Sequence, residues 1–167
     1  MKKDIFFESY EVIARWIIDK AIKEDVSITH LKLQKLIYIC YGWVLGGENK
    51  KLFQEDFYAW QHGPVLKEMY NHVGKRGKDN LCNSKDFKAN NSDLKKELNK
   101  IFWLDYVWER YKNISAYSLS QMTHNNGTPW SVTNHGNIIA YDLIKNYYQK
   151  IISLSGIKED SEELNEF

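Results

Sequence analysis

The sequence predicts a mainly α-helical fold, a single-domain bundle around a buried central helix at about residues 30–45. Apolar side chains occupy nearly every face of that segment, and a helix that is apolar all round is buried on all sides. Other segments repeat apolar residues with the helical period, whereas only residues 52–62 have the composition of a small β-hairpin. No linker rich in Pro, Gly or Ser divides the 167 residues, so one domain is expected.

The first predicted helix covers residues 10–24, where apolar residues share one face and lysines lie outside it. The central helix follows Thr29, whose hydroxyl can accept a hydrogen bond from a free amide of the first turn. Gly46 and Gly47 come after it, and glycine readily adopts the left-handed conformation that ends many helices. We therefore expect the central helix to span about 30–45 and to pack against the first helix.

The connector at residues 52–62 carries aromatic residues in two short stretches separated by acidic residues, which predicts a small β-hairpin. Gly63 and Pro64 follow the connector. Proline has a φ fixed near the helical value and no amide to leave unpaired. We therefore expect Pro64 to take the first position of a helix that continues over about 65–73.

Residues 74–91 are rich in Lys, Gly, Asn and Asp, which is typical of a long surface loop. Ser92 can cap the next helix, whose aromatic and aliphatic residues keep the helical period through to Tyr111. The sequence therefore predicts one long amphipathic helix after the loop.

Two further helices complete the predicted bundle. The shorter is expected to begin at Ser115 or at residues 117–118 and to end at the Thr-His pair, residues 123–124. Thr-Pro-Trp at 128–130 places a capping residue before a proline, which predicts one more helical turn. The final amphipathic helix is expected over 138–154, where apolar residues again follow the helical period.

Charge is unevenly distributed along the chain. Residues 158–167 hold one lysine and five acidic residues, which leaves 22 basic and 17 acidic residues in positions 1–157. We expect 1–157 to form the domain and the acidic tail to be disordered, because the tail has too few apolar residues to fold alone. The lysines of the body are spread over helix faces, so no specific nucleic-acid partner is predicted.

The two cysteines, Cys40 and Cys82, lie far apart without a metal-ligand pattern around either, so neither a disulfide nor a zinc site is predicted. The N-terminal residues lack the apolar core of a signal peptide, and no run approaches the roughly twenty apolar residues of a membrane span. We therefore expect a cytoplasmic protein without a membrane partner.

Three blocks of the sequence resemble a known family. They read Thr-His-Leu-Lys-Leu-Gln-Lys-Leu-Ile-Tyr at 29–38, Phe-Tyr-Ala-Trp-Gln-His-Gly-Pro-Val at 57–65 and Leu-Ser-Gln-Met-Thr-His-Asn-Asn-Gly-Thr-Pro-Trp at 119–130. Their order and spacing resemble the signature of the Panacea, or SocA-like, domain, and the similarity extends over residues 9–152. In the third block Asn125-Asn126-Gly127 stands where the family has a shorter acidic linker.

The resemblance implies an antitoxin-type protein-binding module. The family occurs in bacterial and prophage genomes, and many of its members are antitoxins of toxin–antitoxin pairs. The expected partner is a cognate protein toxin, neutralised by direct binding or by presentation to a cellular protease. The alternative is a prophage protein that antagonises another host factor.

A different class, a metal-dependent hydrolase, would use His30, His62 and His124, which lie one in each block. None of them has the i, i+4 spacing of a helical His-Glu-x-x-His site, and no acidic residue stands beside two of them. No nucleophile motif or phosphate-binding glycine loop is present either. The residues therefore predict no enzyme, no cofactor and no metal, and we interpret the three histidines as hydrogen-bonding residues at helix ends.

The partner surface is predicted at the polar, least regular parts of the domain, where binding residues are often found. Two tryptophans at element borders are expected to be partly exposed anchors, each with a histidine nearby. Three basic residues of the long loop would attract an acidic partner. The predicted partner-binding residues are Trp60, His62, Lys75, Arg76, Lys78, His124 and Trp130.

Overall fold

The computed structural model describes residues 4–157, and there it is a helical bundle with one small antiparallel hairpin, as predicted. The predicted acidic tail, 158–167, lies outside the described residues. Two short 3₁₀ turns, Gly74–Arg76 and Leu81–Asn83, lie in the long loop. The elements are α1 Glu11–Glu24, α2 His30–Glu48, β1 Phe57–Trp60, β2 Gly63–Leu66, α3 Lys67–Val73, α4 Ser92–Asn99, α5 Phe102–Tyr111, α6 Ala116–His124 and α7 Tyr141–Ser155.

The central helix α2 is the hub of the bundle. Every residue from Leu33 to Leu45 is buried, and α5, α6, α7 and β2 all pack against it. Thr29 caps it as predicted, because its hydroxyl accepts a hydrogen bond from the Lys32 amide at 3.3 Å. The buried centre expected from the all-round apolar pattern is confirmed.

The predicted end of α2 at residue 45 is wrong, because the helix continues to Glu48 and closes at Asn49 in the left-handed conformation. Gly46 and Gly47 lie inside the helix. A Cβ atom on Gly46 would collide with the backbone of α7 at Tyr148, and one on Gly47 would collide with the indole ring of Trp103 on α5. These glycines therefore serve close packing rather than helix termination.

The hairpin lies at 57–66 rather than within 52–62, and Tyr58 pairs with Val65 across it. The prediction that Pro64 begins a helix is wrong, since Pro64 lies in β2 and α3 begins only at Lys67. The fixed φ of proline suits an extended strand as well as a helix. Gly63, at φ 106°, supplies the turn into β2.

A third extended segment, residues 136–139, lies along the other edge of β1. The Ala59 amide donates to the Asn137 carbonyl at 2.9 Å, and the Ile139 amide donates to the Phe57 carbonyl at 2.8 Å. Because these residues are committed to the sheet, α7 begins at Tyr141 and the predicted helix start at residue 138 is wrong.

The predicted helix from Ser92 to Tyr111 is divided into α4 and α5 at Lys100 and Ile101. The predicted cap, Ser92, is wrong by one residue: Asn91 caps α4, since its side chain accepts a hydrogen bond from the Leu94 amide at 2.9 Å. The long loop before α4 has exposed residues, as predicted. The buried side chains of Leu81 and Phe87 anchor it to the core.

Ser115 caps α6, as expected, by accepting a hydrogen bond from the Ser118 amide at 3.1 Å. Thr128 caps the predicted single turn, because its hydroxyl accepts a hydrogen bond from the Ser131 amide at 3.3 Å and its carbonyl accepts one from the Val132 amide at 3.3 Å. None of the helices in residues 4–157 combines the length and the apolar character needed to cross a membrane.

Candidate partner-binding site

The three sequence blocks meet around the hairpin. The first block supplies one face of α2, the second forms the hairpin itself, and the third forms α6 and the loop after it. We call this region, residues 30–35, 57–66 and 120–130, the hairpin junction.

The side-chain amide of Gln34 on α2 forms two hydrogen bonds with the backbone of β2, as a neighbouring strand would. Its side-chain Oε1 accepts a hydrogen bond from the Leu66 amide at 2.9 Å, and its Nε2 donates to the Leu66 carbonyl at 3.1 Å. The same Nε2 lies 3.1 Å from Nε2 of His30, which can accept from it as a neutral ring. Burial, and then the charge of Lys35, lower the pKa of His30, consistent with that neutral form.

Lys35 is fully buried beside this pair. Its side chain is 0% exposed, and its Nζ donates to the Pro64 carbonyl at 2.9 Å. Within residues 4–157 no carboxylate forms an ion pair with it. Burial lowers the pKa of Lys35 to about 7, since an ammonium group loses its hydration there. Gln34 and Lys35 together cover the outer edge of β2.

The third block binds three successive carbonyls of the hairpin turn. Those carbonyls leave the β-ladder at the turn, and partly buried carbonyls need a donor. The pairs are Trp130 Nε1 with Trp60 O at 2.7 Å, His124 Nε2 with Gln61 O at 2.9 Å and Ser120 Oγ with His62 O at 2.7 Å. The turn is therefore fixed through its backbone by side chains that follow it by about 60 residues.

His124 has a carbonyl oxygen at each ring nitrogen. Its Nδ1 lies 2.5 Å from the Ser120 carbonyl, while its Nε2 faces Gln61. A neutral imidazole can donate to one of these oxygens and an imidazolium can donate to both. The ring also packs on Trp130, with 4.0 Å between the centroids, so His124 fastens α6 to both the turn and the following loop.

The loop after α6 is closed by Thr128, whose hydroxyl donates to the Thr123 carbonyl at 2.7 Å. Residues 125–127, where the sequence departs from the family pattern, form an exposed turn. Gly127 lies there at φ 83° with open space around it. The altered linker thus projects outward and leaves the Trp130 and His124 contacts in place.

The structure brings Trp60, His62, His124 and Trp130 together, and it confirms that the two tryptophans are partly exposed. Their role in binding a partner stays a prediction. The other four tryptophans are buried in the core.

The three predicted basic residues, Lys75, Arg76 and Lys78, follow the C-terminal end of α3. All are exposed, and Arg76 forms an ion pair with Asp86 at 3.0 Å, whereas Lys75 and Lys78 have no ion-pair partner among the described residues.

Tyr70 connects the two parts of the predicted surface. It is 48% exposed, its ring meets Trp60 edge-on at 5.0 Å, and it lies next to Gly74, which precedes Lys75.

Sequence reasoning missed Tyr70, Gln34 and Lys35. Tyr70 could have been found as an aromatic residue on the polar face of a short helix. Gln34 and Lys35 interrupt the apolar pattern of the central helix, and that interruption is the signal of their contact with β2.

The histidines of the hydrolase alternative are not assembled into a ligand set. Over residues 4–157, no group of three His, Cys, Asp or Glu side chains is placed to hold a metal ion. His30 and His124 instead contact polar atoms of the hairpin junction.

Comparison with known proteins adds an independent line of evidence. The family described as "Antitoxin SocA-like, Panacea domain" matches residues 33–131, a range that includes the hairpin and the third block. Antitoxin SocA of Caulobacter vibrioides (strain NA1000 / CB15N) is 28% identical over 134 residues, which cover 74% of this chain and 69% of that protein. No solved structure matches the chain. Since the family match covers more than half of the sequence, this chain belongs to the Antitoxin SocA-like, Panacea domain family.

Proposed function

We propose that this protein is a cytoplasmic antitoxin that binds a cognate protein toxin and blocks it directly, without catalysis of its own. Membership of an antitoxin family and the similarity to Antitoxin SocA support the antitoxin role. The observation that carries the direct-binding mechanism is the hairpin junction, where partly exposed aromatic residues stand on a turn fixed by internal hydrogen bonds.

This turn is preorganised for binding. A surface that is already ordered loses less conformational entropy when a partner docks, so more of the contact energy contributes to affinity. The indole N–H of Trp130 is occupied by the Trp60 carbonyl, which leaves ring surface for a partner. Tyr70 and His62 extend the exposed area on either side of Trp60.

Charge supports the choice of an acidic partner. Lys75 and Lys78 carry positive charges without ion-pair partners in the described chain, at the end of the same helix that holds Tyr70. Exposed charges of this kind accelerate association with an oppositely charged surface more than they strengthen the final complex. We therefore propose that Trp60, Tyr70 and Trp130 anchor the toxin and that the lysines attract it.

The test uses the product of the neighbouring open reading frame as the candidate toxin. It is expressed from an inducible promoter with and without this chain, and growth, complex formation and toxin abundance are measured. Restored growth with a stable complex and undiminished toxin supports direct blocking. Restored growth with loss of the toxin, abolished in a protease-deficient host, would assign presentation to a protease instead. Absence of both rescue and complex would contradict an antitoxin role toward this neighbour.

A further inference from the structure

Lys35 has an environment that the antitoxin proposal leaves unexplained. It is fully buried, and one backbone carbonyl, that of Pro64, is its hydrogen-bond partner in the described chain. An ammonium group has three donors and a full charge, so burial with one neutral acceptor is strongly unfavourable. A neutral amine removes that penalty, and so does a movement that lets water reach the group.

The surroundings of Lys35 come from three elements. On β2, Pro64 holds its Nζ, and Gly63 packs against its side chain. On α6, the Thr123 hydroxyl faces the same space, since its Oγ1 lies 2.6 Å and the Lys35 Nζ lies 3.1 Å from the position that a Cβ on Gly63 would take. The titratable groups facing this space are His30 on α2 and His124 on α6, whose Nδ1 lies 3.4 Å from Thr123 Oγ1. Neither can supply the negative charge that a buried ammonium needs.

The side of the hairpin that can open is the seam between β2 and α2. On its other sides the hairpin stays held, because β1 pairs with residues 136–139 and the turn is bound by side chains of the third block. Its attachment to α2 consists of polar contacts from Gln34 and Lys35 to β2, together with packing of its buried apolar residues. Local opening of such a unit requires less free energy than global unfolding.

We propose that Lys35 is a protonation-controlled latch, holding the hairpin closed on α2 as a neutral amine and favouring an open, hydrated hairpin when it takes up a proton. In the open state water solvates the ammonium, so opening is coupled to uptake of one proton. The open population therefore increases as pH falls toward 7. The latch lies under the turn that carries Trp60 and His62, and its existence does not depend on the antitoxin proposal.

Amide hydrogen exchange on the full chain tests the latch. The Leu66 amide is the reporter, because it donates to Gln34 across the seam that opens. After correction for intrinsic exchange, its opening constant should decrease about tenfold for each pH unit between about 7 and 9, the dependence expected for uptake of one proton. Buried amides of α5, such as that of Leu104, should not show this dependence.

Two variants separate the latch from general effects. Lys35→Met keeps the aliphatic stem and removes the amine, so the Leu66 opening constant should become independent of pH. Lys32→Met is the matched control, because the Lys32 amine also donates to a carbonyl, that of Lys112, but lies away from the hairpin. It should retain the dependence of the parent chain.

Nuclear magnetic resonance of ε-¹³C-labelled lysine gives a direct reading in the native chain, without any substitution. The Lys35 resonance should titrate with a midpoint near pH 7. A midpoint near that of exposed lysines would overturn the proposal. So would an opening constant of Leu66 that does not vary with pH, or an equal pH dependence at Leu104, which would indicate global unfolding.

Discussion

Gly63 and Thr123 approach each other so closely that a Cβ atom on Gly63 would lie 2.6 Å from the Thr123 hydroxyl oxygen. The hairpin therefore meets α6 at a position that only glycine can occupy without displacement. Gly63 also has φ 106°, a backbone conformation that residues with a Cβ atom rarely adopt.

Gly63→Ala should lower the free energy of unfolding by about 2–4 kcal/mol, because it combines backbone strain with overpacking against Thr123. Gly127→Ala is the matched control, since Gly127 also has a positive φ, of 83°, but open space around it. There we expect only the strain contribution of about 1–2 kcal/mol. Urea unfolding of both variants measures the difference, and equal losses would show that the contact with Thr123 is easily relieved.

Stability should decrease in mild acid because of His30. The pKa of His30 is lowered by burial and then by Lys35, so the unfolded chain takes up a proton on this residue at a higher pH than the folded chain does. The stabilisation is therefore complete above about pH 6.5, the ordinary histidine pKa, and is lost as pH falls through the lower folded value. His30→Asn should reduce the difference in unfolding free energy between pH 7 and pH 5.

The control for that measurement is His135→Asn, since His135 is exposed and lies outside the three blocks. Both variants are compared with the parent chain by urea unfolding at the two pH values. An acid loss in His30→Asn as large as that of the parent would mean that other groups cause it.

Tyr70→Ala should weaken toxin binding chiefly by faster dissociation, with a loss on the order of 1–2 kcal/mol if the ring is a binding anchor. Tyr70 makes no side-chain hydrogen bond in the described structure, so its truncation should leave the hairpin junction in place. Tyr117→Ala removes an aromatic ring that is 71% exposed, in the first turn of α6, at the opposite end of that helix from His124. Surface plasmon resonance should show unchanged dissociation for Tyr117→Ala, and equal behaviour of the two variants would place the interface elsewhere.

Charge reversal at Lys75 and Lys78 should slow association about tenfold at low ionic strength, with little change in dissociation. The effect should shrink in about 0.5 M salt, because the Debye length becomes shorter than the separation of approaching surfaces. Reversal of Lys95 and Lys96, two exposed lysines of α4, gives a matched change in net charge. If that pair slows association equally, net charge rather than the α3 surface attracts the toxin.

The fold was largely predictable because the bundle depends on periodic burial. The pattern of α2 was sufficient to identify the hub, and α1 agrees with its predicted range within a residue. Pro64 was misassigned because its φ fits a strand and a helix equally well. The break between α4 and α5 escaped detection because buried Leu98 and Ile101 continue the period across it.

The candidate site was less accessible to sequence reasoning. A helical pattern assigns polar residues to the solvent side, whereas Gln34 and Lys35 are buried by their contact with β2. The association of Trp60 with Trp130 joins residues 70 positions apart, which local periodicity cannot report. The resemblance of the three blocks to one family pointed to these regions as a group. In the structure the three blocks are in contact and form one region of the fold.

The carbonyl contacts at the hairpin turn have a consequence for evolution. Trp130, His124 and Ser120 bind the backbone of residues 60–62, so the shape of the turn does not depend on which side chains Gln61 and His62 carry. Both residues are exposed. Mutation can therefore sample new chemistry at these two positions while the scaffold stays intact. A library randomised at 61 and 62 should consist mostly of folded proteins, which makes this turn a natural place for recognition to diverge.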